Sequence, residues 1–166
     1  MNRTDYNRLE VAYITDNIKF ADSKAGVLIA ADGLLLRGGI DYFKSARITF
    51  ESLIESLTIS ERFFLIFGSV SLMIGIILAV AVVFPRRASG VKAGLVFWES
   101  IASYPSAEAY TNEVMTITDD DIDKKMAEQQ YYIALTATKK YQMLRRAFWA
   151  SSIGALFITI TAFTLN

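Results

Sequence analysis

FFLIFGSVSLMIGIILAVAVVF, residues 63–84, is an apolar run without a charged side chain, closed by Pro85 and the pair Arg86 and Arg87. At 1.5 Å rise per residue a helix of this length reaches roughly 33 Å, close to the ~30 Å hydrocarbon thickness of a bilayer. The run is therefore predicted to be a membrane-spanning helix. A second charge-free stretch, AFWASSIGALFITITAFTL at 147–165, is also long enough to cross. A third, 25–42, is apolar through VLIAADGLLL but carries Asp32, Arg37 and Asp41. Charges at a span centre cost about 2.5 to 3.5 kcal/mol each on insertion scales. Arg37 and Asp41 lie near the end of the stretch and can snorkel, so Asp32 is the principal burden.

Composition agrees with an integral membrane protein. The chain has 166 residues, 53% of them hydrophobic, and a mean hydropathy of +0.33. An ordinary soluble domain is about 45 to 50% apolar. Lys plus Arg and Asp plus Glu balance at 17 each, so nucleic acid is not an expected partner. Without Cys or His the chain lacks thiol nucleophiles, disulfides, imidazole bases and the usual zinc ligands. With no P-loop-type glycine-rich phosphate cradle either, neither an enzyme nor a metal site is expected. The first 24 residues are polar and charged, unlike a cleavable signal peptide.

The basic residues set an expected orientation. Arg3, Arg8, Lys19 and Lys24 precede the first span, and a longer series from Arg86 to Arg146 lies between the second and third. The positive-inside rule makes both segments cytoplasmic. The reading is all-α: a cytoplasmic N-terminal helix at 1–24, spans at 25–42, 63–84 and 147–165, an outer loop at 43–62 and a cytoplasmic domain at 85–146. Thr4 or Asp5 is expected to cap a first rod that continues into the membrane. Apolar spacing at Ile48, Phe50, Leu53, Ile54 and Leu57 suits a helical hairpin on the outer leaflet. Residues 91–98 suit a short extended piece, Ser106 a helix cap, and Asp119 to Asp121 the N-terminus of a second rod.

Four segments then acquire a joint meaning: ADSKAGVLIAADGLLL, FPRR, GLVFWESIASYPSAEAYTNEV and QQYYIALTATKKYQMLRRAFWAS. Their order, spacing and membrane placement resemble the transmembrane effectors of Pycsar antiphage systems. In that family a phage-triggered cyclase makes cyclic CMP or cyclic UMP, and the effector compromises the inner membrane, aborting the infection. The resemblance implies a cyclic pyrimidine nucleotide as activating ligand, a bacterial inner-membrane location and a functional link to a pyrimidine nucleotide cyclase. At one position the chain departs from the pattern: Asp32 stands where the family more often has Asn before Gly33.

Candidate ligand-binding residues are Asp22, Lys24, Phe97, Trp98, Tyr110, Lys140 and Tyr141. Lys24 and Lys140 can neutralise a phosphate, Asp22 can accept from a ribose hydroxyl, and the aromatics can stack a base. Each also has a plain structural role. Charges at span ends set topology, and the loop aromatics, Tyr104 among them, suit a small cytoplasmic core or a headgroup belt. Asp32 is the intramembrane polar residue, lining a path or packed against a partner from another subunit, Ser69, Ser71 or Thr159. Small residues at Ser71, Gly75 and Ala79, and at Ala147, Ser151 and Ala155, permit close helix approach. They serve packing within the chain or a homo-oligomer, which is expected because three spans alone enclose no conducting path. A membrane adaptor for a separate toxin and a ligand-independent ion conductor are the competing readings.

Overall fold

A computed structural model describes residues 3–45, 57–84 and 98–164. Among these residues all regular structure is helical: α1 (Arg3–Ser45), α2 (Ile59–Val83), α3 (Trp98–Ala102), α4 (Ala107–Thr116) and α5 (Asp119–Thr164). The expected outer hairpin and most of the expected extended piece lie outside the described residues. Trp98, placed at the end of that piece, instead opens α3.

The two expected rods are single helices of 43 and 46 residues. Neither contains proline, so no turn loses a backbone donor. α1 begins at Arg3, which puts Thr4 and Asp5 inside its first turn rather than at its cap; Asp5 still complements the helix dipole there. In α5 the three aspartates form the first turn. The cap beside them is Thr118, whose Oγ1 accepts from the Asp121 N–H at 3.3 Å and donates to the Asp121 carboxylate at 2.6 Å.

α2 starts at Ile59, four positions before the charge-free run, because Thr58 and Glu61 form a capping box. The Thr58 hydroxyl accepts from the Glu61 N–H, and the Glu61 carboxylate accepts from the Thr58 N–H at 2.8 Å. The helix stops where proline demands it. Phe84 precedes Pro85 and takes an extended conformation, φ −60° and ψ 132°.

The chain divides into two compact units, with boundaries at Phe20/Ala21, Phe84/Pro85 and Lys139/Lys140. The second unit holds α2, the later part of α1 and the later part of α5. α2 runs antiparallel to α5: Phe64 and Phe67 meet Phe157, Gly68 meets Gly154, and the Ser71 hydroxyl donates to the Ala150 carbonyl at 2.8 Å. α1 runs parallel to α5, since Asp22 pairs with Lys140 and Asp32 with Ser151.

The interior of this unit is small or polar. Ala21, Ala25, Gly68, Ser71, Gly75, Ala79, Ala147, Ser151 and Gly154 are buried, with Leu72, Val82 and Leu144 as the larger members. Its bulky side chains point outward: Val27 and Leu34 are 71% exposed, Ile77 61% and Leu156 58%. This inverts the arrangement of a water-soluble core. The stripe Ser71, Gly75 and Ala79 packs within the chain, and on α5 its partner stripe is Ala147, Ser151 and Gly154. Ala155, singled out by four-residue spacing, is only half-buried.

In the first unit the start of α1 is tied to α5 by the Gln130 amide, which donates to the Asn7 carbonyl at 3.0 Å and to its side-chain oxygen at 3.1 Å. α4 is capped by Ser106, whose hydroxyl accepts from the Ala109 N–H at 3.1 Å, and buries none of its residues.

Candidate functional site

Polar chemistry gathers in two places, one in each unit. In the first unit the Ser106 cap starts α4 two residues after Tyr104, so the Tyr104 ring folds back over the new helix. It meets Tyr110 edge to face, centroids 5.3 Å apart at 68°. Tyr110 and Glu113 are three apart and share a helix face. The Tyr104 hydroxyl donates to the Glu113 carboxylate at 2.7 Å. That bond favours the neutral phenol and pushes the Tyr104 pKa above its usual value. Lys125, in the second turn of α5, stands 3.8 Å from the other Glu113 oxygen. Two phenol rings, one carboxylate and one ammonium thus meet on a partly exposed surface.

In the second unit the α1–α5 seam carries two polar pairs. The Lys140 ammonium is almost wholly buried and donates to Asp22 at 2.5 Å; the Asp22 side chain keeps 31% of its exposure. Among the described residues this is the ion pair with the most buried cation. Deeper in the bundle, the Ser151 hydroxyl donates to the buried Asp32 carboxylate at 2.5 Å. Gly75 makes room for this contact: a Cβ there would lie 2.2 Å from the Ser151 oxygen and 3.2 Å from the Asp32 oxygen. Among the described residues no buried side-chain polar atom lacks a hydrogen-bond partner.

The sequence candidates are distributed accordingly. Asp22 and Lys140 come together, but on each other. Tyr141 packs half-buried against the apolar cluster of the second unit, and Lys24 is exposed, next to the buried Ala25 and about one turn after the buried Ala21. Tyr110 belongs to the first unit, Trp98 opens α3, and Phe97 lies outside the described residues. Asp32 is partnered by Ser151 rather than by the expected Ser69, Ser71 or Thr159, because α1 packs in parallel register on α5. Arg37 and Asp41 pair with each other at 3.3 Å on the exposed face of α1. Sequence reasoning did not single out Glu113 or Lys125, and it took Ser151 only as a small packing residue and not as the partner of Asp32. Only Glu113 had a local signal, its place one turn after Tyr110.

Two helices, α2 and α5, are long and apolar enough to cross a membrane. Only 28% of the most apolar stretch of α2 and 22% of that of α5 is buried, unlike the core helix of a soluble protein. The class so defined is an all-helical protein with two candidate membrane spans. The chain belongs to the Pycsar effector family: the profile described as "Pycsar effector protein domain" matches residues 7–165. The chain is also 30% identical over 154 residues to "Pycsar effector protein SaPycTM" of Staphylococcus aureus, covering 93% of this chain and 90% of that protein. No solved structure matches the chain. Membership places it among antiphage defence effectors, and with the two apolar helices it points to a membrane location.

Proposed function

We propose that this protein is a bacterial inner-membrane effector that a cyclic pyrimidine mononucleotide, cyclic UMP or cyclic CMP, switches to a membrane-damaging state. The observation that carries the reading is the inverted bundle of a Pycsar family member. Small and polar groups are inside it and bulky apolar groups outside, the distribution that suits a bundle solvated by lipid tails. Three spans are favoured over two because α1 reaches the level of both candidate spans. Its Asp32 lies against Gly75 of α2 and Ser151 of α5. The parallel course of α1 and α5, with α2 antiparallel, fits an odd number of crossings that keeps the N-terminal part of α1 on the cytoplasmic side.

In this mechanism the ligand biases a two-state packing of the long helices. Shifting such an equilibrium from 1:99 to 99:1 takes about 5.5 kcal/mol of differential binding, less per subunit if several copies share it. The damaging state is a homo-oligomer, since three helices whose interior is already filled leave no path for ions. No covalent chemistry is required of the effector; a separate cyclase supplies the nucleotide.

The test is dye release from liposomes carrying the purified protein. Cyclic UMP or cyclic CMP should release dye in a saturable way, and cyclic AMP should not. Release that is absent with both pyrimidine nucleotides, or equal without any nucleotide, would overturn the reading.

A further inference from the structure

α4 is the least supported helix of the described chain. It has ten residues and buries none of them, whereas isolated helices shorter than about 12 to 15 residues are marginal in water. Local contacts help to hold it, among them the Ser106 cap, the Tyr104–Tyr110 ring contact, the Tyr104–Glu113 hydrogen bond and the Glu113–Lys125 ion pair. Three of these four meet at one spot within the first unit. They bring together aromatic faces for a flat ring, an acceptor for hydroxyl or N–H donors, and a cation for an anion.

We infer that the cyclic pyrimidine mononucleotide binds at this cluster, with Tyr110 and Tyr104 taking the base, Glu113 a ribose hydroxyl or a base N–H, and Lys125 the cyclic phosphate. The inference rests on the proposed function for the identity of the ligand. The chemistry matches group by group. A pyrimidine has a π-face for stacking, the 2′-hydroxyl is a donor that a carboxylate accepts, and the phosphodiester carries one negative charge that an ammonium pairs. The resident ion pair gives way readily: at 3.8 Å, with side chains 32% and 48% exposed, it is solvent-screened and weak. The competing cation, Lys140, is 6% exposed and already engaged by Asp22, so a phosphate would have to displace a buried partner to reach it.

Occupation of the cluster has a mechanical consequence. The ligand bridges α4, through Tyr110 and Glu113, to α5, through Lys125. It therefore stabilises the docked form of a helix that has no buried side chain to dock it. α5 continues unbroken from Lys125 to the candidate span, so the restraint is applied to the element that enters the membrane. Ordering a marginal element on binding is a population shift toward the docked state.

The test is calorimetric titration of the full-length protein in detergent with cyclic UMP and cyclic CMP, with cyclic AMP as the reference. Tyr110→Ala should weaken binding about ten- to hundredfold through lost stacking. Lys125→Gln should weaken it about tenfold and flatten its salt dependence. Lys140→Gln and Met115→Ala, the latter on α4 away from the cluster, should bind as the wild type does. In the wild type, ligand should also protect Lys125 from acetylation, a readout that needs no variant to fold. Wild-type affinity in both Tyr110→Ala and Lys125→Gln, or loss of binding in Lys140→Gln alone, overturns this site while leaving the proposed function standing. Failure of the wild type to bind either pyrimidine nucleotide overturns the proposed function itself.

Discussion

The two units of the chain are held by opposite means. In the second, α2 and α5 come so close at Gly68 and Gly154 that a Cβ on either would crowd the other's carbonyl oxygen, and the buried Ser71, Asp32 and Lys140 side chains bond across helices. In the first, α4 rests on a cap, a ring contact and exposed side-chain bonds. Backbone-close packing tolerates almost no displacement, because cores yield discontinuously rather than gradually. A helix held by solvent-facing contacts can be docked or released for a small free-energy change. Under the proposed function this difference divides the roles, with the bundle acting on the membrane and the α4 region receiving the signal.

The largest effect should come from filling the closest approach. A Cβ on Gly154 would lie 2.8 Å from both the Leu72 backbone nitrogen and Cγ, and 2.9 Å from the Gly68 carbonyl oxygen. Backbone atoms cannot step aside, so Gly154→Leu should cost more than the roughly 1 to 3 kcal/mol of ordinary overpacking. It should be seen as loss of the folded species in detergent size-exclusion and melting experiments. Gly26→Ala is the contrast. Nothing lies within 4 Å of its new methyl group, and helix propensity should stabilise α1 by about 0.5 to 1 kcal/mol. Equal damage from both would mean that the close approach is not a packing constraint.

The Asp22–Lys140 pair should break unequally. Asp22→Asn leaves a buried ammonium without its counter-charge, whereas Lys140→Met leaves a carboxylate that still reaches water. Removing one partner of a buried pair costs about 3 to 5 kcal/mol. Asp22→Asn should approach that range, and Lys140→Met should fall well below it, in denaturant melts at matched conditions. The reverse order would show that burial of Lys140 is not what makes the pair matter.

A smaller effect belongs to the first unit. Because Glu113 raises the Tyr104 pKa, the folded state holds that proton more tightly. The contribution to stability is complete below the ordinary tyrosine pKa of about 10 and is lost as pH rises through the raised folded value. Tyrosinate absorbance should show one of the eight tyrosines titrating late, a step that Tyr104→Phe removes. An unchanged titration in Tyr104→Phe would dissolve the hydrogen-bonded cluster.

Much of the fold was legible in the sequence because its signals are local. The charge-free run at 63–84, the break at Pro85, the Ser106 cap and the proline-free stretches fix α2, α4 and both long helices through backbone chemistry alone. The start of α2 was legible too, in Thr58-x-x-Glu61, but hydropathy drew the boundary four residues late. Cross-helix partners were not legible. Ser151 is 119 positions from Asp32, and only the parallel register of α1 on α5 selects it over Ser69, Ser71 or Thr159. The partner of Lys140 was equally hidden, since nothing near it in sequence announces Asp22.

The proposed contrast between a lipid-facing bundle and a water-facing receptor region can be measured directly. The chain has no cysteine, so single nitroxide labels can be introduced without background. Labels at Leu34, Ile77, Leu156 and Met115, all strongly exposed, would be read in liposomes for collision with oxygen and with a water-soluble nickel chelate. Oxygen partitions into the hydrocarbon core and the chelate stays in water. The first three sites should favour oxygen and Met115 the chelate. Chelate access at Ile77 and Leu156 equal to that at Met115 would contradict a membrane-embedded bundle, and such access at Leu34 alone would take α1 out of it.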